Sequence, residues 1–232
     1  MTNQSQNTSE LEKRIEYDFS NKNLLNEALT HRSYLNENTD WCFPNNERME
    51  YLGDAVIELV VSESLFKKYP EAPEGKMTVL RAALVNYQML AKVAGEMGLE
   101  EFIFMSRGER GGSPKAKEVI LANAAEALVG AVYLDGGIKA AGKFVDKFVM
   151  SRLKEVLETR SYRDAKSELQ EIVQDKMKVT PSYRVLEETG PAHERQFKIG
   201  VYYGENLIAE GRGASKQEAE LEAAKEALKE FK

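Results

Sequence analysis

The hydrophobic and polar residues of this chain recur with two different periods. Up to about residue 157, apolar residues return every three or four positions, which predicts amphipathic helices. The most regular stretch, 46–69, predicts one long and largely buried helix. Its apolar positions are Met49, Leu52, Val56, Leu59 and Val60. A second stretch, 119–137, is apolar nearly all round and predicts another buried helix, followed by an amphipathic helix at 140–157.

The pattern changes after a short polar stretch, ETRSYR at 158–163, which we interpret as a linker. Beyond it a helix is predicted up to Met177, followed by three strands with alternating apolar residues and a closing helix. Ser215 and Glu218 form a predicted capping box at the start of the closing helix. The sequence therefore predicts a multidomain fold, with an all-α domain at 9–157 and an α-β-β-β-α domain at 164–232.

Composition indicates the class of protein and the cellular compartment that suits it. Hydrophobic residues make up 42% and charged residues 30% of the 232 positions, which is typical of a helix-rich globular protein. We expect no membrane partner, because the apolar runs are short for a bilayer span. The N-terminal MTNQSQNTSE lacks a basic segment and an apolar core, which predicts a frayed tail rather than a secretory signal. The single Cys42 fits a reducing, cytoplasmic setting.

Charge and histidine content limit the chemistry. The net charge of −6 argues against a nucleic-acid partner, because such proteins usually carry a basic surplus. With only two histidines, a multi-histidine zinc site is excluded. The first of them, His31, is expected to be a structural hydrogen-bonding residue. The glycine-rich basic loop at 106–117 is either mobile or able to approach a phosphate backbone.

Acidic residues inside the two apolar helices are the strongest candidates for chemistry. Glu47, Glu50 and Asp54 stand at i, i+3 and i+7, within about 60° of one another on one helix face. They form either a solvated stripe or a cation site. Glu126 lies in an apolar helix and needs a base or a metal as partner, and Asn123 shares its face.

Three segments resemble a known family. NERMEYLGDAV at 46–56 resembles the signature helix of the ribonuclease III family, and LANAAEALVGAVYLDGG at 121–137 resembles its other catalytic segment. Residues 164–232 resemble a double-stranded-RNA-binding domain through LQE, GPAHE and GRGASKQEAE. The three segments follow one another in the order usual for the family.

The resemblance implies a divalent-metal endoribonuclease that cuts both strands of duplex RNA, leaving 5′-phosphates and short 3′ overhangs. It implies Mg²⁺ as cofactor with Mn²⁺ as a substitute, a homodimer formed through the signature helix, and processing of rRNA and mRNA precursors. Asp54 and Glu126 would be the catalytic residues. Glu74 has an ordinary explanation as an acid that favours a helix start, but it also matches a family position. The implied metal-site residues are Glu47, Glu50, Asp54, Glu74, Asn123 and Glu126.

One position in each domain departs from the family pattern. Asn123 stands where aspartate is common; it keeps a ligating oxygen but removes one negative charge. The alternative function is therefore a duplex-RNA-binding protein with a weakened or inactive nuclease site. Gln217 stands where a second lysine is common, and 164–232 has 11 Lys+Arg against 14 Asp+Glu. The RNA-binding residues implied by the resemblance are Gln170, Glu171, His193, Arg212, Ser215 and Lys216.

Overall fold

The computed structural model describes residues 4–159, 165–191 and 195–231. The chain divides into two compact units, Met1–Tyr162 and Arg163–Lys232. Much of the proposed linker lies outside the described residues, but its first position, Glu158, is still helical.

The first unit is helical throughout its described part, apart from short turns and loops. Its α-helices are α1 (Gln4–Ile15), α2 (Lys22–Ala28), α3 (Arg32–Glu37), α4 (Glu47–Lys68), α5 (Glu74–Val85), α6 (Tyr87–Glu96), α7 (Arg107–Arg110), α8 (Pro114–Phe148) and α9 (Leu153–Thr159). Two 3₁₀ turns, Leu99–Glu101 and Met150–Arg152, complete it. The helix α1 begins inside the segment predicted to be a frayed tail, so that prediction is wrong from Gln4 onward.

Helices α4 and α8 form the centre of the first unit. The long predicted helix at 46–69 is confirmed as α4, with Asn46 and Tyr69 as its flanking caps. Four of its five predicted core positions are buried or half-buried. The exception is Leu59, which is 59% exposed although its helical spacing matches that of the core residues.

The two helices predicted at 119–137 and 140–157 form one element that is interrupted at Gly137. Ser113 caps this element, α8, by accepting a hydrogen bond from the Ala116 amide at 3.3 Å, and Pro114 follows at the first helical position. Gly137 has φ 74° and ψ −176°, a conformation that favours glycine. The second half ends at Phe148, well short of the predicted residue 157.

The stretch Pro114–Glu158 is long and apolar enough to cross a membrane by length and composition alone, contrary to our expectation for the apolar runs. However, 56% of its most apolar window is buried inside the fold. A buried core helix meets the same criterion, and much of α8 is buried in the core of the first unit.

The second unit is a three-stranded antiparallel sheet with two helices. Strands β1 (Ser182–Thr189), β2 (Gln196–Tyr203) and β3 (Asn206–Gly213) lie in the order β1-β2-β3 between α10 (Ala165–Met177) and α11 (Lys216–Lys229) in sequence. The α-β-β-β-α prediction is therefore confirmed. Alternate residues of β2 face the helices, and the shared core includes Leu169, Val173, Val201, Tyr203, Ala223, Ala224 and Ala227.

Candidate active site

Two glycines let the backbones of α4 and α8 touch. A Cβ atom on Gly53 would lie 1.8 Å from the backbone oxygen of Glu126, and one on Gly130 would lie 2.5 Å from the backbone oxygen of Met49. Real Cβ atoms do not approach backbone this closely, so any larger residue would push the two helices apart. This contact fixes how the acidic residues of the two helices face each other.

The contact brings the carboxylates of α4 within electrostatic range of Glu126 on α8. Burial, followed by the charges of Asp54 and Glu50, raises the pKa of Glu126 to about 7. A carboxyl group surrounded by other carboxylates, with its solvation reduced, favours its protonated form. The predicted pairing of the two acidic segments is therefore present in the structure.

Glu50 belongs to α4, and residues of both α4 and α8 affect its pKa. Burial is the largest cause of its raised pKa, followed by the charge of Glu47. A side-chain hydrogen bond with Asn123 acts in the opposite direction, because an amide donor stabilises the carboxylate. Asn123 thus contacts the acidic cluster directly, at the point where the sequence departs from the family pattern.

Glu47 occupies the exposed outer end of the cluster. Its carboxylate is 3.5 Å from the guanidinium of Arg32 and accepts a 3.3 Å hydrogen bond from the side chain of Asn45. His31, next to Arg32, caps α3 by accepting from the Ser33 amide at 3.3 Å, and its Nδ1 lies 2.8 Å from the Ser33 hydroxyl. The structural role predicted for His31 is confirmed.

Glu74 lies apart from the other acids within one chain. It is the first residue of α5, not part of the preceding loop, and accepts a 2.7 Å hydrogen bond from the Thr78 hydroxyl. It lines a groove with Leu59 and Phe66 of α4. At 1.5 Å of rise per residue, those two positions lie roughly 8 and 18 Å along the helix from Asp54. A single chain does not bring Glu74 to the cluster.

The donor set of the cluster suits a hard divalent cation. Glu50, Asp54 and Glu126 supply carboxylate oxygens and Asn123 an amide oxygen, the ligand types that Mg²⁺ prefers. Burial and then repulsion between neighbouring carboxylates raise the pKa values of Glu50 and Glu126, and a bound cation would relieve that repulsion. Within the described residues, no three His, Cys, Asp or Glu side chains already converge into a ready metal-binding group. The residue types fit a metal, while their side chains are not yet arranged around one.

Sequence reasoning missed the glycines and one apolar stripe. Gly53 and Gly130 carry no chemistry, and their only signal was a small residue inside each apolar helix. Tyr51, Leu59 and Phe66 are 83%, 59% and 69% exposed. They lie within roughly 80° of one another around α4. We call these three residues the α4 stripe. Exposed apolar residues aligned on one helix would have indicated an interaction surface.

In the second unit, three of the predicted RNA-binding residues gather where β3 meets α11. Ser215 caps α11 by accepting from the Glu218 amide at 3.1 Å, so the predicted cap is confirmed. The Glu218 carboxylate accepts from the Ala214 amide at 2.8 Å. Lys216 begins α11 with its ammonium 5.8 Å from the centre of the Phe197 ring, and Arg212 lines a small cleft beside that ring.

The remaining predicted RNA-binding residues fall on α10 or outside the described residues. Gln170 is exposed on α10, where Glu171 also falls, whereas His193 lies outside the described residues. Arg195, at the start of the following described segment, is paired with Glu188 at 3.0 Å.

Most acids of α11 are neutralised by neighbouring lysines. Carboxylate–ammonium distances are 2.6 Å for Glu220 with Lys166, 3.2 Å for Glu222 with Lys225 and 2.6 Å for Glu226 with Lys229. By contrast, Lys216 and Arg212 form no ion pair within the part of the chain that the structure describes. Although this unit has a net negative charge, these two cations are therefore available at one place.

Both units match known families. The family described as Ribonuclease-III-like matches residues 21–153, and the Double-stranded RNA binding motif matches residues 165–230. The chain belongs to the ribonuclease III family. It is an endoribonuclease that carries a double-stranded-RNA-binding motif, and the resemblance seen in the sequence is confirmed.

Similar proteins span nearly the whole chain. Ribonuclease 3 of Borreliella burgdorferi is 43% identical over 215 residues, covering 93% of this chain and 87% of the relative. Ribonuclease 3 of Enterococcus faecalis is 42% identical over 225 residues, covering 97% of both chains. The crystal structure of the nuclease domain of Ribonuclease III from Campylobacter jejuni has a TM-score of 0.57 and 41% identity, covering 66% of this chain and 97% of that one.

Proposed function

We propose that the chain hydrolyses both strands of duplex RNA at the carboxylate cluster between α4 and α8, in a reaction that depends on Mg²⁺. One observation carries the proposal. The backbone contact at Gly53 and Gly130 holds Glu50 and Asp54 against Glu126, whose pKa is raised to about 7. Carboxyl groups that the fold holds close together and whose pKa values are raised are typical of functional sites.

The metal would be held by Asp54 and Glu126, with Glu50 and the amide oxygen of Asn123 beside them. Bound Mg²⁺, or Mn²⁺ in its place, would supply a Lewis acid that activates water and neutralises the phosphate during in-line displacement. Since Glu126 must be ionised to bind a cation, it would release a proton on loading. The products would be 5′-phosphate ends with short 3′ overhangs.

The α4 stripe supports a homodimer formed through this helix. Tyr51, Leu59 and Phe66 present aligned apolar surface that the rest of the chain's first unit leaves exposed. A two-fold axis perpendicular to α4 would place the C-terminal half of one α4 against the N-terminal half of the other. Glu74 of one copy would then approach the acidic cluster of the other copy. We therefore assign Glu74, with Glu47, to a supporting role at a second metal or in product release.

The residues of the second unit would hold the duplex by its shape. Lys216 and Arg212 offer cations to phosphates, and the N-terminus of α11 adds its dipole. Gln170, Glu171 and His193 would contact 2′-hydroxyl groups in the minor groove. Shape recognition fits a broad set of targets, and we propose precursors of rRNA and mRNA in the cytoplasm. Mapping 5′ ends in cells depleted of the protein would test these targets through the accumulation of uncut precursors.

A second function is favoured by one observation, the hydrogen bond between Asn123 and Glu50. The Asn123 amide already donates to the Glu50 carboxylate and adds no negative charge. The site would therefore bind a cation more weakly than a site with aspartate at position 123. The chain would then act mainly as a duplex-RNA-binding protein.

One experiment distinguishes the two functions. Long duplex RNA is incubated in Mg²⁺ with the unaltered protein, Asn123→Asp and Glu126→Gln. We expect the unaltered protein to cut and Glu126→Gln to bind without cutting. Cutting by Asn123→Asp alone would support the second function. Cutting by Glu126→Gln at the unaltered rate would show that the site assignment is wrong.

A further inference from the structure

A cleft of about 520 Å³ lies between the end of α1 and the last part of α8. Three lysines of α8, Lys139, Lys143 and Lys147, line one side of it. We call it the lysine cleft. Its other lining residues are mostly apolar or aromatic: Ile15, Tyr17, Gly136, Ala140 and Phe144, with Glu16 as the one acid.

The three lysines repeat at every fourth residue, so their side chains leave the helix on one face. The rise of an α-helix separates neighbouring members by about 6 Å. Like charges at this spacing repel one another and destabilise a helix. At this separation the charges lie within one Debye length, which is about 10 Å at 0.1 M salt. Their fields therefore add within the cleft.

Acidic residues of the protein neutralise only part of the positive charge in the lysine cleft. Lys147 pairs with Glu16 at 2.6 Å. Lys139 and Lys143 make no ion pair among the residues that the structure describes.

The nearby carboxylates are engaged elsewhere. Asp135 accepts hydrogen bonds from the Tyr17 hydroxyl at 2.9 Å and from the backbone amides of Ser20 and Asn21 at 2.9 and 2.8 Å. Asp146 accepts from the hydroxyl of Ser64 at 3.0 Å. Two ammonium groups in a chain of net charge −6 are thus left for an external anion.

We propose that the lysine cleft binds the phosphate backbone of duplex RNA outside the cut site. The inference rests on duplex RNA being the ligand, as in the proposed function. Glu126 and Gly136 are about 15 Å apart along α8, and Lys139 follows the interruption at Gly137. An extended polyanion is long enough to reach beyond the site of cleavage, whereas a small anion is not. Evenly spaced ammonium groups contact phosphates without reading sequence, and each contact releases counterions.

The test compares two charge-matched double variants of the full chain. In Lys139→Gln/Lys143→Gln the unpaired lysines are neutralised. In the control, Lys92→Gln/Lys154→Gln, both lysines already pair with glutamates, at 2.5 Å to Glu155 and 3.7 Å to Glu158. Affinity for a long duplex is measured without divalent ions at several salt concentrations. We expect the first variant to bind about tenfold more weakly and to lower the salt slope by about 2, at roughly 0.9 per phosphate. The control should stay within about twofold of the unaltered protein.

For a third variant we expect duplex affinity to change in the opposite direction. Glu16→Gln frees Lys147 and removes the one acid of the cleft, so duplex affinity should rise about two- to threefold. Lys139→Arg/Lys143→Arg keeps both charges and should bind like the unaltered protein. Equal salt slopes for the glutamine double variant and its control would overturn the proposal, as would weaker binding by Glu16→Gln. Failure of the unaltered protein to bind duplex RNA would contradict the proposed function itself.

Discussion

At Glu126, burial and two neighbouring carboxylates act in the same direction on one proton. The ordinary pKa of a glutamate is near 4.5, and that of Glu126 in the folded protein is about 7. The folded state therefore holds this proton more tightly than the unfolded state does. Without metal, its contribution to stability is fully present below about pH 4.5 and is lost as the pH rises through about 7.

This linkage predicts a pH effect that Glu126→Gln removes. Between about pH 5 and pH 8, the metal-free protein should lose on the order of 2 kcal/mol of stability, after a discount for partial solvent screening. The Gln variant should lose much less over this range. Urea unfolding in EDTA can be followed by the fluorescence of Trp41, the only tryptophan, which packs on Phe104 in the first unit. An equal pH dependence in both proteins would contradict the raised pKa.

The sequence predicted the acids but only part of their surroundings. The spacing of Glu47, Glu50 and Asp54 placed them on one face because helical geometry is fixed. The apolar neighbours of Glu126 indicated that its carboxyl needed a partner. The hydrogen bond between Asn123 and Glu50 depends on how two helices pack, and local periodicity does not contain that information.

The crossing of α4 and α8 depends on the absence of two side chains. Gly53→Ala places a Cβ against the backbone of α8, where neither helix can give way without separating. We expect a loss of at least about 2–3 kcal/mol of stability. We also expect cleavage to fall strongly, because the carboxylates would no longer face each other.

Gly142→Ala in α8 is the matched control, since a Cβ there would meet nothing within 4 Å. It should leave stability unchanged or raise it by about 0.5–1 kcal/mol, as glycine is costly inside a helix. Thermal unfolding and cleavage rates would be measured for both variants. A Gly53→Ala protein that melts and cuts like Gly142→Ala would show that the close contact is unimportant.

Element boundaries were predicted where glycine and proline mark them and missed elsewhere. Gly137 ended the predicted helix, and its positive φ breaks α8 there. The later end at Phe148 has no such marker, and a 3₁₀ turn at Met150–Arg152 separates α8 from α9 within the predicted helix. Leu59 has helical spacing like the buried residues, but periodicity alone cannot distinguish a residue facing the core from one facing a second chain.

For the whole molecule, the dimer predicts that the α4 stripe controls both assembly and activity. Leu59→Glu/Phe66→Glu places charges where apolar surfaces would meet, and should convert a dimer into a monomer. If Glu74 acts in the site of the other copy, cleavage should fall at least about 100-fold with dimer loss. Sedimentation velocity and cleavage assays would measure the two effects.

Val119→Glu is the control for this variant, because Val119 is a similarly exposed apolar residue on α8. It should remain dimeric. A monomeric unaltered protein, or a stripe variant that stays dimeric and active, would contradict the proposed assembly.

At the same scale, the net charge was a misleading guide to the partner. The count of 38 Asp+Glu against 32 Lys+Arg argued against nucleic acid. Ion pairs neutralise three acids of α11 locally, while Lys216 and Arg212 remain unpaired within the described residues. Binding depends on where uncompensated charge lies, which a sum over the sequence does not show.

We infer that the carboxylates joined across α4 and α8 cut duplex RNA with a divalent ion. The most direct test of this inference is the single-turnover cleavage rate of a defined duplex as Mg²⁺ is increased, for the unaltered protein and Glu126→Gln. We predict a rate that rises to saturation for the unaltered protein and a maximal rate at least about 1,000-fold lower for the variant, with duplex affinity within about twofold. Equal maximal rates would show that Glu126 does not serve the reaction, and cleavage that persists in EDTA would show that no divalent ion is needed.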